Sequence, residues 1–542
     1  MEFLVLYFIL SLFILLLSIT LIILKSIGYS SPKFNLWIGV PVISTFLVYV
    51  FNLSAFNVPN NLEINLLTFY DITSQFFTVI SLTIYILSFF LWDYDLIELK
   101  KPSFYKSKKG EVKIGKVMKK QRRYYKFNLS LEDLERHVFV CGATGSGKSN
   151  FVQYLLINFK QKFKIPFMLA EFKGEYTFLQ DIIDDLIVIR PGENFSINIF
   201  DPEGGNPEIH AERLFDILKS GRFLDESAEF SPQMERVLVD ILIEVCSKTE
   251  LQNWKGFYNQ CENYVNSHKM IIPMVEQSLV SIQNRIRRFS LGPLKSIFAT
   301  RYKIKVGDLF DKNIIFDLSS IVRLGGEKED ALFFLNMVLK YLWDRNVSKG
   351  AYNYKGITHI TIVEDAQYFA PKDLSYQTKL TSYLEDIALL QRGTGECLIS
   401  IATRPQVSEE ILANCGVLIV FKNHMQRTFI SELLNLDEEN EDYVSILEKG
   451  QCIARVNSIK RPFLLWVPLI DRYWKKRGDV NRRNKEILQK SKSEDPKEDL
   501  NNFFNFYRKT KTKDRELENS QIKQTNIKDF EKVIENLLKK HT

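Results

Sequence analysis

His137-Val138-Phe139-Val140-Cys141 runs straight into Gly142-Ala143-Thr144-Gly145-Ser146-Gly147-Lys148-Ser149. After Asn150 the apolar residues Phe151, Leu155, Leu156 and Phe159 recur at helical spacing. Buried strand, glycine-rich loop and helix in that order are the context the GxxxxGK[ST] pattern requires. The glycines let successive backbone N–H groups turn inward around phosphate oxygens, and the helix N-terminus adds partial positive charge. Gly142, Ala143, Thr144, Gly145, Ser146, Gly147, Lys148, Ser149 and Asn150 are therefore the candidate nucleotide-binding residues. Lys148 would bring charge to the terminal phosphates, and the Ser149 hydroxyl is a candidate Mg²⁺ ligand. ATP and Mg²⁺ are the implied ligands.

A hydrolytic site also needs acid at a strand end. Ile357, Ile360, Ile362 and Val363 lead into Glu364-Asp365-Ala366-Gln367, an apolar run closing in two carboxylates. Glu364 is the candidate holder of the Mg²⁺ shell and Asp365 the candidate activator of the attacking water. Further apolar runs at 166–171, 185–189, 312–317, 396–403, 416–421 and 450–456 alternate with helical patterns. That alternation predicts an α/β fold, a P-loop NTPase core of RecA type built on a parallel sheet. Residues 205–300 carry helical periodicity and few strand signals, so a helical insertion is expected there.

Around this centre the chain is uneven. It has 542 residues, enough for two or three units, and its 25% charged residues are unevenly placed. The first hundred residues hold almost uncharged apolar runs, which excludes a simple soluble enzyme. The net charge of +7 is too mild over this length to establish a nucleic-acid partner. The six cysteines are scattered without a CxxC pair, which excludes a zinc ribbon or a disulfide framework. The six histidines form no ligand spacing. His137 reads as structural.

Phe3 to Leu24 and Ile72 to Trp92 are uncharged and long enough to cross a bilayer at about 1.5 Å per residue. Leu36 to Leu53 is shorter and contains Pro41. It either spans or re-enters. Lys25 and Lys33 flank the first connection, the second (54–71) has no Lys or Arg, and a dense basic stretch runs from Lys100 to Lys126. The distribution predicts three spans, N-terminus outside, with the remainder cytoplasmic. A two-span hairpin with the N-terminus inside is the alternative. The basic stretch reads either as a juxtamembrane anchor on anionic lipid or as a collar that contacts nucleic-acid phosphates.

Other motifs carry a family likeness. Asp133 to His137 before the loop, and Ile114-Gly115-Lys116-Val117 before that, resemble the HerA–FtsK superfamily of pumping ATPases. So do Glu171-Phe172-Lys173-Gly174-Glu175-Tyr176, Ile197-Asn198 through Asp201, Ser231-Pro232-Gln233, Ile314 through Asp317, Leu390-Gln391-Arg392, and Ala402-Thr403-Arg404-Pro405. The likeness covers roughly residues 112–470. Among membrane-bound members the arrangement is most similar to the HerA-like ATPases of archaeal DNA exchange. The resemblance implies a membrane-anchored, ring-forming homo-oligomer, a hexamer, that moves DNA and works beside a separate membrane channel protein. A protein-secretion or pilus-assembly ATPase is the alternative reading. The resemblance further implies an arginine acting on a neighbouring subunit's nucleotide, with Arg392 the first candidate and Arg404 the second. Two departures stand out. Thr403 occupies the place where the family carries a Gln, and the second acid is Asp365 where Glu is usual.

These readings divide the chain into a transmembrane segment (1–95, three helices), a basic juxtamembrane linker (96–126), an ATPase domain (127–470) and a charged tail (471–542). The multi-pass segment would fix the chain in the cell membrane, against lipid, with its ATPase domain in the cytoplasm.

Overall fold

The computed structural model describes residues 2–26, 32–52, 64–90, 97–119, 122–220, 230–298, 305–350, 356–372 and 383–494. The expectations for Phe503 to Tyr507 and for Lys528 to Lys540 lie outside the described residues. The chain divides into two units, residues 1–101 with 118–124, and residues 102–117 with 125–542.

The first unit holds three helices, α1 (Glu2–Ser26), α2 (Pro32–Asn52) and α3 (Ile64–Phe90). Two stretches, Val5–Leu24 in α1 and Thr68–Ser88 in α3, are long and apolar enough to cross a membrane, whereas the apolar part of α2 is only Trp37–Leu47. The three expected spans thus reduce to two by length and composition, because α2 opens on polar residues and carries Pro41 inside. The bundle interior mixes hydroxyl side chains with the apolar Ile14, Leu21, Ile38 and Val42, while many large apolar side chains face outward. Ser11, Ser18, Ser74, Thr78, Ser81 and Ser88 are buried, while Leu6, Ile9, Phe13, Leu16, Phe69, Ile72 and Phe76 are exposed. The hydroxyls turn back onto their own helices, as Ser18 Oγ does to the Ile14 carbonyl (3.0 Å) and Thr78 Oγ1 to the Ser74 carbonyl (2.8 Å). Such back-bonding satisfies a hydroxyl without water.

The second unit is built on one sheet. Its strands are β1 (Val112–Lys119), β2 (Arg122–Leu129), β3 (Val138–Cys141), β4 (Phe167–Glu171), β5 (Leu186–Ile189), β6 (Asn313–Asp317), β7 (His359–Val363), β8 (Glu396–Ala402), β9 (Val417–Phe421), β10 (Gln451–Val456) and β11 (Phe463–Trp466). They lie in the order β2-β1-β11-β10-β9-β3-β8-β7-β4-β6-β5. From β9 to β5 every pairing is parallel, and β10 runs antiparallel to both β9 and β11. All residues of β3 to β9 are buried, as parallel strands covered on both faces must be. The connection from β3 to β4 is α4 (Lys148–Lys160), whose buried Phe151, Val152, Leu155, Leu156 and Phe159 form its inward face. The helical insertion consists of α5 (Pro207–Ser220), α6 (Pro232–Ser247), α7 (Trp254–His268) and α8 (Val275–Ser290). On α6, Ser231 caps the first turn by accepting from the Met234 N–H, and Val237, Leu238, Ile241, Leu242 and Val245 are buried. Arg288 of α8 binds Asp330 (2.6 Å) at the start of α9 (Lys328–Lys349), an ion pair that holds the insertion to the core.

Two expected boundaries move. Residues 112–119 and 122–126, read as part of a basic linker, belong to β1 and β2. Lysines 113, 116 and 119 disguise the pattern, but Val112, Ile114 and Val117 beneath them are fully buried. Gly115 permits the close approach to β11, since a Cβ there would stand 2.5 Å from the Trp466 carbonyl oxygen. The charged tail, expected from 471, contributes α10 (Arg477–Glu494) to the fold. Its Asn484 is fully buried. The amide donates to the Val188 carbonyl (2.8 Å) and accepts from the Val188 N–H (3.0 Å) and from Gln180 Nε2 (2.6 Å). One side chain thereby satisfies both backbone groups of a residue on the last strand of the sheet.

Candidate nucleotide site

The strand order places the site. β8 lies between β3 and β7, so the residues leaving β8 fall between the glycine-rich loop and the acidic strand end. A cleft of about 650 Å³ opens there, lined on one side by Thr144, Gly145, Gly147, Lys148 and Ser149 and on the other by Glu364, Asp365 and Thr403. Gly145 (φ 78°) and Gly147 (φ 123°) hold backbone conformations that a side chain would strain, which is what the inward-turned loop demands. Lys148 Nζ donates to the carbonyls of Gly142 (2.6 Å) and Ala143 (3.1 Å). Burial lowers its pKa from the ordinary lysine value.

The Ser149 hydroxyl donates to Glu364 Oε1 (3.1 Å). Hydroxyl and carboxylate thus meet where a hard cation with oxygen ligands would sit, and the pair fits Mg²⁺. Tyr176 donates to the same carboxylate oxygen (2.6 Å). Burial raises the Glu364 pKa, and the tyrosine bond opposes that shift. Tyr176 is fully buried. It belongs to the Gly174-Glu175-Tyr176 motif, which marked it as a family feature without showing that it reaches Glu364.

Glu171 is a structural anchor. Its Oε2 accepts the N–H groups of Lys173 (2.9 Å), Gly174 (2.7 Å) and Glu175 (3.3 Å). Burial, with Asp317 and Glu364 nearby, pushes its carboxyl up to about 8. The turn it organises puts Lys173 and Glu175 on the cleft wall. Asn150 likewise holds structure. Its side chain donates to the Pro468 carbonyl (2.8 Å) and accepts from the Ile470 N–H (2.9 Å), pinning the segment after β11 across the cleft. Trp466, Val467, Leu469, Ile470 and Arg472 of that segment, with Lys449 and Gly450, complete the lining. None of these seven stood out in the sequence. Their apolar faces suit a base ring beside the phosphate loop.

The two arginine candidates part company. Arg404 is exposed and directly follows the cleft-lining Thr403. Arg392 lies in the turn Gln391–Thr394, before β8 begins, whereas Thr403 follows its end. A seven-residue strand separates them by roughly 20 Å. His137 is structural. Its Nδ1 accepts the Leu398 N–H (3.0 Å) and its Nε2 meets the Ala388 carbonyl (3.1 Å), the pattern of a neutral ring. The six cysteines are buried and unpaired.

With this geometry in place the chain can be compared with known proteins. The family described as "Helicase HerA, central domain" matches residues 112–325, beginning at the first residue of β1. Over these residues the chain is similar to ATPases of the HerA type. The "DNA double-strand break repair helicase HerA" of Sulfurisphaera tokodaii is 23% identical over 402 residues, 70% of this chain and 76% of the relative. The protein of the same description from Sulfolobus acidocaldarius is 24% identical over 385 residues, 66% of this chain and 69% of the relative. Among solved structures, VirB4 of Thermoanaerobacter pseudethanolicus superposes with a TM-score of 0.51 at 15% identity, covering 69% of this chain and 99% of that one. That likeness shows a shared fold. The match from residue 112 agrees with a HerA-type domain that starts at β1.

Proposed function

We propose that this HerA-type ATPase moves DNA and works from a membrane. The observation that carries the reading is the convergence of Lys148, the Ser149–Glu364 pair and Asp365 on one cleft. Lys148 would leave the loop carbonyls for the terminal phosphates of ATP. Ser149 and Glu364 would hold Mg²⁺, which would screen phosphate charge. Asp365 would orient and polarise the attacking water. DNA enters as substrate through the curated relatives, both described as DNA double-strand break repair helicases. Arg392, too far along β8 to serve its own cleft, would complete the site of a neighbouring copy in a ring, a homohexamer, with Arg404 as the nearer alternative. The apolar outer surface of α1 to α3 and the two long apolar stretches support a multi-pass membrane anchor, which would hold the motor beside a separate channel protein.

The test is ATP hydrolysis by the full chain in lipid nanodiscs, with and without DNA, across a salt series, beside Lys148→Ala. We expect DNA to stimulate hydrolysis, the stimulation to fall steeply with salt, and the variant to be inactive. Hydrolysis indifferent to DNA at low salt would refute the DNA reading and favour a protein substrate. Hydrolysis that survives Lys148→Ala would refute the site.

A further inference from the structure

Thr403 lines the cleft just past the end of β8, and a glutamine amide reaches it from the turn beyond β7. Gln367 follows β7 by four residues, and its side chain bridges to the end of β8. The Thr403 N–H donates to Gln367 Oε1 (3.3 Å). Because a backbone N–H can only donate, this bond fixes which end of the amide is oxygen. Gln367 Nε2 then donates one hydrogen to Thr403 Oγ1 (3.1 Å) and the other to Asp365 Oδ1 (3.2 Å). Both amide hydrogens are used, and the oxygen accepts one bond.

Two consequences follow from donor and acceptor counting. Thr403 Oγ1 accepts from Gln367, so its own hydrogen is left to donate, and Thr403 lines the cleft. A hydroxyl oriented in this way presents a donor to an anionic oxygen that enters. Asp365 holds a left-handed backbone conformation (φ 52°) that turns it out of the strand direction. With Oδ1 bound to Gln367, Oδ2 would be the oxygen that accepts from a water.

We infer that Gln367 is a positioning residue that ties recognition of the terminal phosphate by Thr403 to water activation by Asp365. The inference rests on the ATPase reading of the cleft and deepens it. Gln367 itself does not line the cleft and acts through its two partners. One amide sets both, so discrimination between ATP and ADP and the rate of turnover depend on it together.

The experiment uses the full chain in nanodiscs and four variants, Gln367→Ala, Gln367→Glu, Thr403→Val and the Gln367→Ala/Thr403→Val double. Two quantities are measured, kcat and KM for ATP, and the Kd values of ADP and of a non-hydrolysable ATP analogue. Gln367→Ala should lower kcat about 10- to 100-fold and weaken the analogue several-fold while ADP binds as before. The double variant should lose no more than the worse single, because the two residues form one unit. Gln367→Glu has the same shape but cannot donate, and it sets a second carboxylate beside Asp365. Loss of turnover and of analogue binding in this variant would follow from the lost donors, because the side chain's shape and packing are kept. Unchanged kcat in Gln367→Ala, equal losses for ADP and analogue, or independent losses that multiply in the double variant would each overturn the inference. A wild type that binds nucleotide without hydrolysing it would count against the ATPase reading instead, and the ADP-to-analogue ratio would still decide the role of Gln367.

Discussion

At the scale of single residues, the cleft is a set of side chains that satisfy one another. Glu364 takes hydrogen bonds from Ser149 and Tyr176, groups 215 and 188 residues away in the chain. Burial raises its pKa, and the Tyr176 bond works against that rise. Tyr176→Phe removes the opposing bond and nothing of the ring's packing. The carboxyl then holds its proton to higher pH, and Mg²⁺ must compete with that proton. The expected result is weaker Mg²⁺-dependent hydrolysis at acidic pH, largely restored as pH rises. A pH series at fixed and at saturating Mg²⁺ checks it, and a loss equal at all pH values would contradict it. The glycine-rich loop and the Glu364-Asp365 pair were legible in the sequence, because each is a local pattern with a chemical reason. Tyr176 as a partner of Glu364, the Gln367 bridge and the Asn150 pin were not, because each depends on which distant strands the fold makes neighbours.

At the scale of elements, legibility followed burial. The eight apolar runs from 137 to 456 became β3 to β10, since a strand buried on both faces is apolar throughout. β1, β2 and β11 escaped notice because they extend the sheet past its parallel core. There lysines interrupt the apolar pattern, as on β1, or the strand is as short as Phe463–Trp466. Helix α10 escaped for a related reason. Its sequence is dominated by Lys, Arg and Asn, and the residue that docks it is a polar one, Asn484. Asn484→Ala would leave the buried Val188 N–H without that partner, while the carbonyl keeps Asn194 Nδ2 (3.1 Å), at a cost of about 1–3 kcal/mol. We expect a lower unfolding temperature and loss of protection from hydrogen exchange in β5, with residues near the cleft less affected. Exchange unchanged at Val188 would show that the docking contributes nothing.

At the scale of the whole molecule, the two units call for opposite solvents. In the second, the residues of the parallel strands are buried and its helices turn apolar faces inward. In the first, Phe13 is 57% exposed while Ser18 and Ser74 are fully buried. A substitution separates the two environments cleanly. If water surrounds α1, Phe13→Arg is harmless or improves solubility. If lipid surrounds it, a guanidinium at that depth costs about 2.5–3.5 kcal/mol. We expect the wild type to remain in carbonate-washed membranes and Phe13→Arg to be partly released or degraded. Full retention and normal abundance of the variant would argue against a lipid-facing α1.

The Asn484 contact also bears on how copies of this chain can meet. A strand with vacant backbone groups is a template onto which another molecule can add its own strand, and such addition has no natural stopping point. Here the groups of Val188 on β5 are already taken by α10 of the same chain. Assembly through that side of the sheet is therefore discouraged before any partner arrives. A closed ring would have to be built from other surfaces, with subunit number set by the angles between them and not by strand pairing.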